Sequence, residues 1–278
     1  MEQYGTLYLT ATPIGNMGDI SKRAIEILNE ADMIAAEDTR ISGSLLKKLD
    51  IKKPLISYYE HNAAMREEKL IELLLDGKNI ALITDAGTPG ISDPGEKIAQ
   101  KCIKLGIDVI PIPGACAFVS SLIVSGFSTE RFTFVGFLPS KNSEREKILE
   151  KYKNRTETLI FYEAPHRLLK TLISMEKIFG SDRKICLSRE ITKKFEEHKR
   201  MNLKEACAFY EENPPKGEFV IVAEGGNGNS PSPLCEKTLE EHLEYYINLG
   251  YSKNDGIKAV AKDRNMPKRS VYDYFSKK

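Results

Sequence analysis

Between residues 6 and 112, short apolar runs alternate with amphipathic stretches of helical length, and few folds tolerate that alternation. "TLYLTA" (6–11), "MIAA" (33–36), "NIALIT" (79–84) and "DVIPI" (108–112) read as buried strands. Between them, "ISKRAIEILNEA" spaces Ile25 and Leu28 like one helical face. "MREEKLIELLLDG" and "EKIAQKCIKLG" read as helices closed by Gly77 and Gly106. Strands separated by helices demand right-handed crossovers, which give a largely parallel sheet. From about Pro113 strands outnumber helices: "FTFVGFLP", "TLIFYEAP", "KICLSRE", "KFEEHKRM" and "EFVIVAEG" are joined by the helical "ACAFVSSLIVSG" and "RLLKTLISMEKIFG". That texture favours a mixed sheet. The expected organisation of the 278 residues is an α/β fold of two domains with a tail: a parallel N-terminal α/β domain (1–112), a mixed-sheet α/β domain (113–228), and a linker plus helical tail (229–278). The linker is "GGNGNSPSP", whose residues cannot bury a core. Beyond it, three short helices with a tight turn at Asn265–Pro267 resemble a helix-turn-helix.

Lys and Arg number 41 against 40 Asp and Glu, so no overall field selects a nucleic acid or membrane, and any such partner must be recognised locally. Five scattered cysteines without a C-x-x-C pair predict reduced thiols and a cytoplasmic protein. No signal-like N-terminus and no apolar run of the ~20 residues a membrane helix needs are seen. His61, His166, His198 and His242 have no i,i+4 partner and no cysteine at zinc spacing, so no metal is expected.

The stretch "ITDAGTPGISDPG" (83–95) follows a strand and precedes a helix, where open α/β sheets bind ligands. It lacks the G-x-G-x-x-G of dinucleotide sites and the lysine of a P-loop, since Glu96 holds that place. Two aspartates and bare backbone suit a cationic or hydroxyl-rich ligand better than a triphosphate. Asp93 before Pro94 reads first as a helix N-cap. Asp85 fits either a ligand-facing carboxylate or an Asx-turn residue holding Gly87.

With "LYLTATPIGNMGDISKRAIEIL", "AEDTR", "SYYEHN", "PIPGACA", "FVGFLP", "YEAPHRL" and "SRE.TKKFE", this loop resembles the tetrapyrrole-methylase family, over about residues 5–226. The tail "GYSKNDGIKAVAKDRNMPKRSVYDYF" matches the same branch, whose members methylate a cytidine ribose 2′-hydroxyl in 16S rRNA of the small ribosomal subunit. The resemblance implies S-adenosylmethionine as methyl donor, bound in a cleft between two α/β domains, and a homodimer. It places Pro13, Asp85, Ala86, Gly87 and Thr88 on one side of the donor. Across the cleft it places Gly114, Ala115, Cys116, Phe161, Tyr162, Ala223 and Glu224. Residue by residue, Phe161 also fits an ordinary core position and Cys116 a small helix residue.

Methyl transfer to a hydroxyl needs alignment and a proton acceptor. Glu163 and His166 are the candidates for that proton, with Arg167 beside them. Glu37, Asp38, Glu60, Asn62 and Glu190 also stand at strand ends. Arg40, His61 and Arg189 are the expected RNA contacts in the body; Lys258, Lys262, Lys268 and Arg269 are those of the basic tail, where Tyr272, Tyr274 and Phe275 could stack on bases. Ion pairing within these groups, or a solvated basic face, is the competing reading of each. Two other functions stay open: the same fold methylating a tetrapyrrole or a diphthamide precursor, and a DNA-binding regulator built on the terminal helices.

Overall fold

The computed structural model describes residues 4–59, 63–226, 228, 234, 237–264 and 266–276. The first lobe is a five-stranded sheet of β1 (Leu7–Thr10), β2 (Met33–Ala36), β3 (Leu55–Ser57), β4 (Ile80–Ile83) and β5 (Val109–Ile112). Its order is β3-β2-β4-β1-β5 and every pairing is parallel. All of β4 is buried, as a central strand covered on both faces must be. The crossovers carry α1 (Lys22–Glu30), α2 (Thr39–Lys48), α3 (Ala63–Leu75) and α4 (Glu96–Lys104). Ser21 caps α1 by accepting from the Ala24 amide, and the helix buries Ala24 and Leu28, with Ile25 only half-buried beside them.

The second lobe holds α5 (Ala117–Ser125), β6 (Phe132–Phe137), α6 (Asn142–Tyr152), β7 (Thr158–Glu163), α7 (Pro165–Phe179), β8 (Lys184–Arg189), β9 (Glu197–Asn202), α8 (Leu203–Glu212) and β10 (Phe219–Ala223). The strand order is β6-β7-β10-β8-β9. β6 and β7 run parallel, and the other neighbours antiparallel, so the sheet is mixed. One face packs Phe161, Leu187 and Ile221 against Leu149, Leu168, Leu172 and Leu203 of α6, α7 and α8. The opposite face packs Ile160, Cys186, Val220 and Val222 against Leu122 of α5. Each such burial stabilises by roughly 1.5–3 kcal/mol. After β10, Gly225 and Gly226 lie so close to the carbonyls of Thr156 and Lys153 that a Cβ would collide with them.

The tail is a separate cluster of α9 (Leu239–Asn248), α10 (Lys253–Asp263) and α11 (Lys268–Ser276) around Leu243, Ile257, Val260, Ala261 and Val271. Tyr274 is not in that core; it is 38% exposed and its hydroxyl donates to Glu240 over 2.6 Å. The fully buried polar group is His242. Arg264 Nε donates to its Nδ1 (3.1 Å), so its other nitrogen carries the proton and faces Asp263 Oδ2 at 3.1 Å. The Tyr246 hydroxyl donates to the same oxygen over 2.6 Å. Among the described residues no helix is long and apolar enough to cross a membrane.

A domain this small has little stability to lose. His242→Ala should therefore cost the tail about 1.5–3 kcal/mol for each charged hydrogen bond removed. Amide exchange should show the tail opening while the two sheets keep their protection.

Candidate functional site

Parallel pairing of β1, β4 and β2 brings their carboxyl ends to one edge, with Ala36 opposite Ile83 and Leu9 opposite Leu82. The loops that continue from these strands therefore meet. Thr12 and Gly87 exchange backbone hydrogen bonds, which fixes the Gly87 turn at φ +89 against the β1 loop. Asp85 Oδ1 accepts from the Asp38 amide at 3.1 Å, and Glu37 Oε2 lies 3.5 Å from the Asp85 amide. This edge forms one wall of a cavity of about 430 Å3 between the lobes. The second lobe supplies the other wall through Cys116, Phe137, Tyr162, Glu163 and the loops carrying Glu190, Lys193 and Glu218.

Of the residues expected at the methyl donor, Asp85, Ala86, Gly87, Thr88, Cys116 and Tyr162 line this cavity. Pro13, Gly114, Ala115, Phe161, Ala223 and Glu224 do not. Phe161 is fully buried in the second sheet's core among the residues packed on α6, α7 and α8, and Ala223 is buried at the opposite end of β10 from Phe219 and Val220, which line the cavity. Ala115 acts from behind, its carbonyl accepting from the Thr88 hydroxyl at 3.1 Å. Gly114 allows close approach to Ala11, whose Cβ would lie 2.8 Å from one built there. Tyr162 accepts from the Phe118 amide at 3.2 Å, and burial pushes its hydroxyl pKa up.

Asp93 departs from its capping reading. The N-cap of α4 is Gly95, with no side-chain hydrogen bond. Three residues in six take positive φ here, Gly90 (+84°), Ser92 (+60°) and Gly95 (+142°). The left-handed turn at Ser92 costs about 1–3 kcal/mol in backbone strain, and Asp93 lies in the cavity wall. Burial, then Glu37 and Asp85, push its carboxyl up to about 7. Glu37 is likewise raised, first by burial and then by Asp85 and Asp38.

The lobes touch at Gly15 and Lys193. A Cβ on Gly15, whose φ is +146°, would lie 2.4 Å from Lys193 Cγ. The ammonium of Lys193 is held by Glu190 Oε1 (3.0 Å) and Glu218 Oε2 (2.8 Å). Glu190 is left-handed at φ 50° and presses on Gly217, where a Cβ would be 2.5 Å from its Cγ. "SRE.TKKFE" contains Lys193, but a contact with residue 15 has no local signature in sequence.

The remaining candidates separate clearly. Glu163 is 2% exposed; its oxygens accept from the Ala164 amide (3.0 Å) and the Thr171 hydroxyl (2.6 Å), and Arg167 Nε lies 3.1 Å away. Arg167 also donates to the Leu138 carbonyl. These two hold the cleft wall in shape. His166 is exposed, lies outside the cavity lining and does not cap α7, whose N-cap Ala164 receives no side-chain bond. Arg40 stands exposed with its guanidinium folded on Asp38 (3.1 and 2.6 Å), which holds that carboxyl well below its usual range. Arg189 lies 3.3 Å from Glu197. His61, with Glu60 and Asn62, lies outside the described residues. In the tail, Lys258 pairs with Asp255 at 2.6 Å and, with Lys268, Arg269 and Tyr272, lines a groove; Lys262 is exposed on α10. Four cysteines are free thiols and Cys235 lies outside the described residues; no cluster among the described residues could hold a metal.

Fold and cleft together define a two-lobed α/β protein with a small-molecule site at the ends of parallel strands. The profile of the Tetrapyrrole (Corrin/Porphyrin) Methylases matches residues 6–207, and the chain belongs to that family. It is 48% identical over 274 residues to Ribosomal RNA small subunit methyltransferase I of Halalkalibacterium halodurans, covering 98% of this chain and 94% of the relative. Proteins of the same name from Synechocystis sp. (44%, 96% of each chain) and Bacillus subtilis (46%, 98% and 94%) align as fully. Among solved structures, a diphthine synthase superposes with TM-score 0.64 at 14% identity (80% of this chain, 90% of that one). The uroporphyrin-III-C-methyltransferase of Thermus thermophilus superposes with TM-score 0.56 at 18% identity (78% and 94%). At these identities the superpositions speak for the fold.

If Glu163 braces the wall, Glu163→Ala should lower stability in urea denaturation by about 3–5 kcal/mol, because Arg167 loses its counter-ion. His166→Ala, on the exposed side of the same turn, should stay within about 0.5 kcal/mol.

Proposed function

We propose that this chain is an S-adenosylmethionine-dependent methyltransferase that acts on the ribose 2′-hydroxyl of a cytidine in 16S rRNA. The observation that carries the reading is the near full-length identity to proteins named Ribosomal RNA small subunit methyltransferase I. The cleft's chemistry supports it. Among the described residues, Glu37, Asp85, Asp93, Glu163, Glu190 and Glu218 line the cavity against the single cation Lys193, an excess suited to a ligand that carries positive charge. The cavity volume lies within the ~300–1,000 Å3 of small-molecule sites. When bound, the donor supplies an electrophilic methyl group on a sulfonium.

The chain's own residues bind and orient. Asp85, fixed by the Asp38 amide, offers its remaining lone pairs to donor hydroxyl or ammonium groups. Ala86, Gly87 and Thr88 present backbone, and the lack of a Cβ at Gly87 lets a ligand lie flat against it. Phe137 and Tyr162 exclude water from one side, with ring centroids 5.5 Å apart. Alignment of this kind is worth ~7–11 kcal/mol of the barrier.

RNA is held outside the cleft. Arg40 and Arg189 flank the body, and the tail groove offers Lys258, Lys268 and Arg269 for phosphates with half-exposed Tyr272 for stacking. The exposed Val119 and Ile123 of α5, one helical turn apart, support homodimer formation through the second lobe. A small-subunit rRNA substrate makes the cytoplasm the working compartment.

Incubation with methyl-labelled donor and small subunits should place label on a cytidine ribose, read by nuclease digestion and mass spectrometry; label on bases or protein alone would refute the reading. Replacing Lys258, Lys268 and Arg269 by alanine should leave donor affinity unchanged in calorimetry. RNA affinity should fall, with a salt slope shallower by about two to three, since each lost phosphate contact removes ~0.7–0.9.

A further inference from the structure

The turn from Glu190 to Glu196 joins β8 to β9 through two left-handed residues, Glu190 at φ 50° and Thr192 at φ 68°. A β-branched residue takes that conformation only where its surroundings impose it. Hydrogen bonds impose it here. The Lys193 amide donates to the Glu190 carbonyl over 2.9 Å, the Glu196 amide to the Lys193 carbonyl over 3.1 Å, and the Thr192 amide to Glu196 Oε2 over 2.8 Å. Glu196 Oε1 lies 2.9 Å from His198 Nε2, and His198 Nδ1 lies 2.9 Å from Ser188 Oγ, which accepts from the buried Ser121 Oγ over 2.6 Å. The turn is thereby tied through β9 and β8 to α5. Ile191 and Lys193 of the turn stand in the cavity wall. Phe195 follows two residues after Lys193, within ~7 Å of it along the chain.

Phe195 is 63% exposed, the most exposed phenylalanine or tyrosine among the described residues. It joins none of their hydrophobic clusters. The other exposed phenylalanines have ring partners: Phe132 lies 6.2 Å from Phe118, and Phe137, which lines the cavity, 5.5 Å from Tyr162. Over the Phe195 ring sits only a cation, the Lys194 ammonium at 5.7 Å from the centroid, and Lys194 enters no ion pair among the described residues. A turn braced in this way does not fold the ring back onto the lobe. The core of a protein interface is depleted of charge, whereas Phe195 stands among Lys193, Lys194, Glu196 and Glu197. A planar partner that carries phosphate fits better, since an unpaired base offers a π face to the ring and its phosphate an anion to the free ammonium.

We infer that Phe195 and Lys194 form the stacking platform for an unpaired base next to the target cytidine, an assignment that rests on the methyltransferase reading above. A ribose whose hydroxyl enters the cleft leaves the neighbouring nucleotides outside it, on the side where the turn carries Phe195 beyond Lys193. Every base has a π face, so the platform supplies affinity and register rather than a choice of sequence. Glu196 and His198 touch no nucleotide; they are positioning residues that hold the turn beneath the ring.

The test uses the full chain and small ribosomal subunits. Phe195→Ala should raise KM for the subunits about 5- to 150-fold, the loss of one base stack, with kcat at saturation within about twofold of wild type. S-adenosylmethionine affinity in calorimetry and the urea midpoint should stay as in wild type, because the ring packs on no core. Phe195→Tyr, which keeps a ring, should restore KM. Lys194→Ala should make the salt dependence of RNA affinity shallower by ~0.7. A further readout needs no methyl transfer: the chain has no tryptophan, so the emission of Phe195→Trp reports this position alone, and protein-free 16S rRNA should quench it. An unchanged KM in Phe195→Ala, or Phe195→Trp emission indifferent to rRNA, overturns the assignment. A sedimentation coefficient lowered in Phe195→Ala with KM kept also overturns it, and gives the ring to an interface between copies of this chain. Quenching by rRNA, with no label passed from S-adenosylmethionine to subunits by the wild-type protein, keeps the platform and overturns the methyltransferase reading.

Discussion

Parallel hydrogen bonding of β2, β4 and β1 is the constraint on which the site depends. Because the strands run the same way in register, the segments beyond Ala36, Ile83 and Thr10 must emerge side by side, although they are far apart in sequence. Asp38 and Asp85 are 47 residues apart, yet the amide of one donates to the carboxylate of the other. Like charges brought together in this way repel and are costly to bury, and Glu37 and Asp93 both hold their protons more tightly as a result. The protein accepts that cost at one edge only, while the strands beneath it are apolar throughout.

The second lobe meets this edge with groups already committed. Glu163, Arg167 and Thr171 satisfy one another at the start of α7, and Lys193 is shared by Glu190 and Glu218. Such closed networks fix a wall's shape. The division of labour is therefore between lobes: the first carries the strained Asp93 loop, and the second carries the braced surface against which a ligand is pressed.

Much of the fold is legible in the sequence because hydrophobic period reports burial directly. The runs at 79–84 and 158–163 can only be central strands, and Gly77, Gly106 and Gly126 mark helix ends by their positive φ. Less visible are α2, whose "TRISGSLLKK" mixes polar and apolar residues and takes its start from the Asp38 cap, and the short β3, with three residues. The cavity is half legible. Asp85 to Thr88 lie where a strand-end loop must put them, but Phe161 turns into the second core one residue before Tyr162, and Ala223 lies at the end of β10 remote from the cavity. Asp93 eludes a sequence reading because Asp-Pro before a helix is a good cap, and nothing in a serine's identity announces the left-handed backbone that removes it.

The strand β10 begins at the cavity with Phe219 and Val220 and runs away from it, so the chain leaves the second lobe where Gly225 and Gly226 are clamped against Thr156 and Lys153. The tail is thereby leashed at the back of the lobe, about 16 Å from the cleft at ~3.3 Å per strand residue. Gly228, beside Thr156, and Leu234, whose carbonyl accepts from Arg264, are six residues apart in the chain, a reach of no more than ~22 Å. Two binding surfaces so joined raise each other's effective concentration only on a partner broad enough to touch both. On the proposed reading, a folded RNA surface gains that avidity and a short oligonucleotide forfeits it.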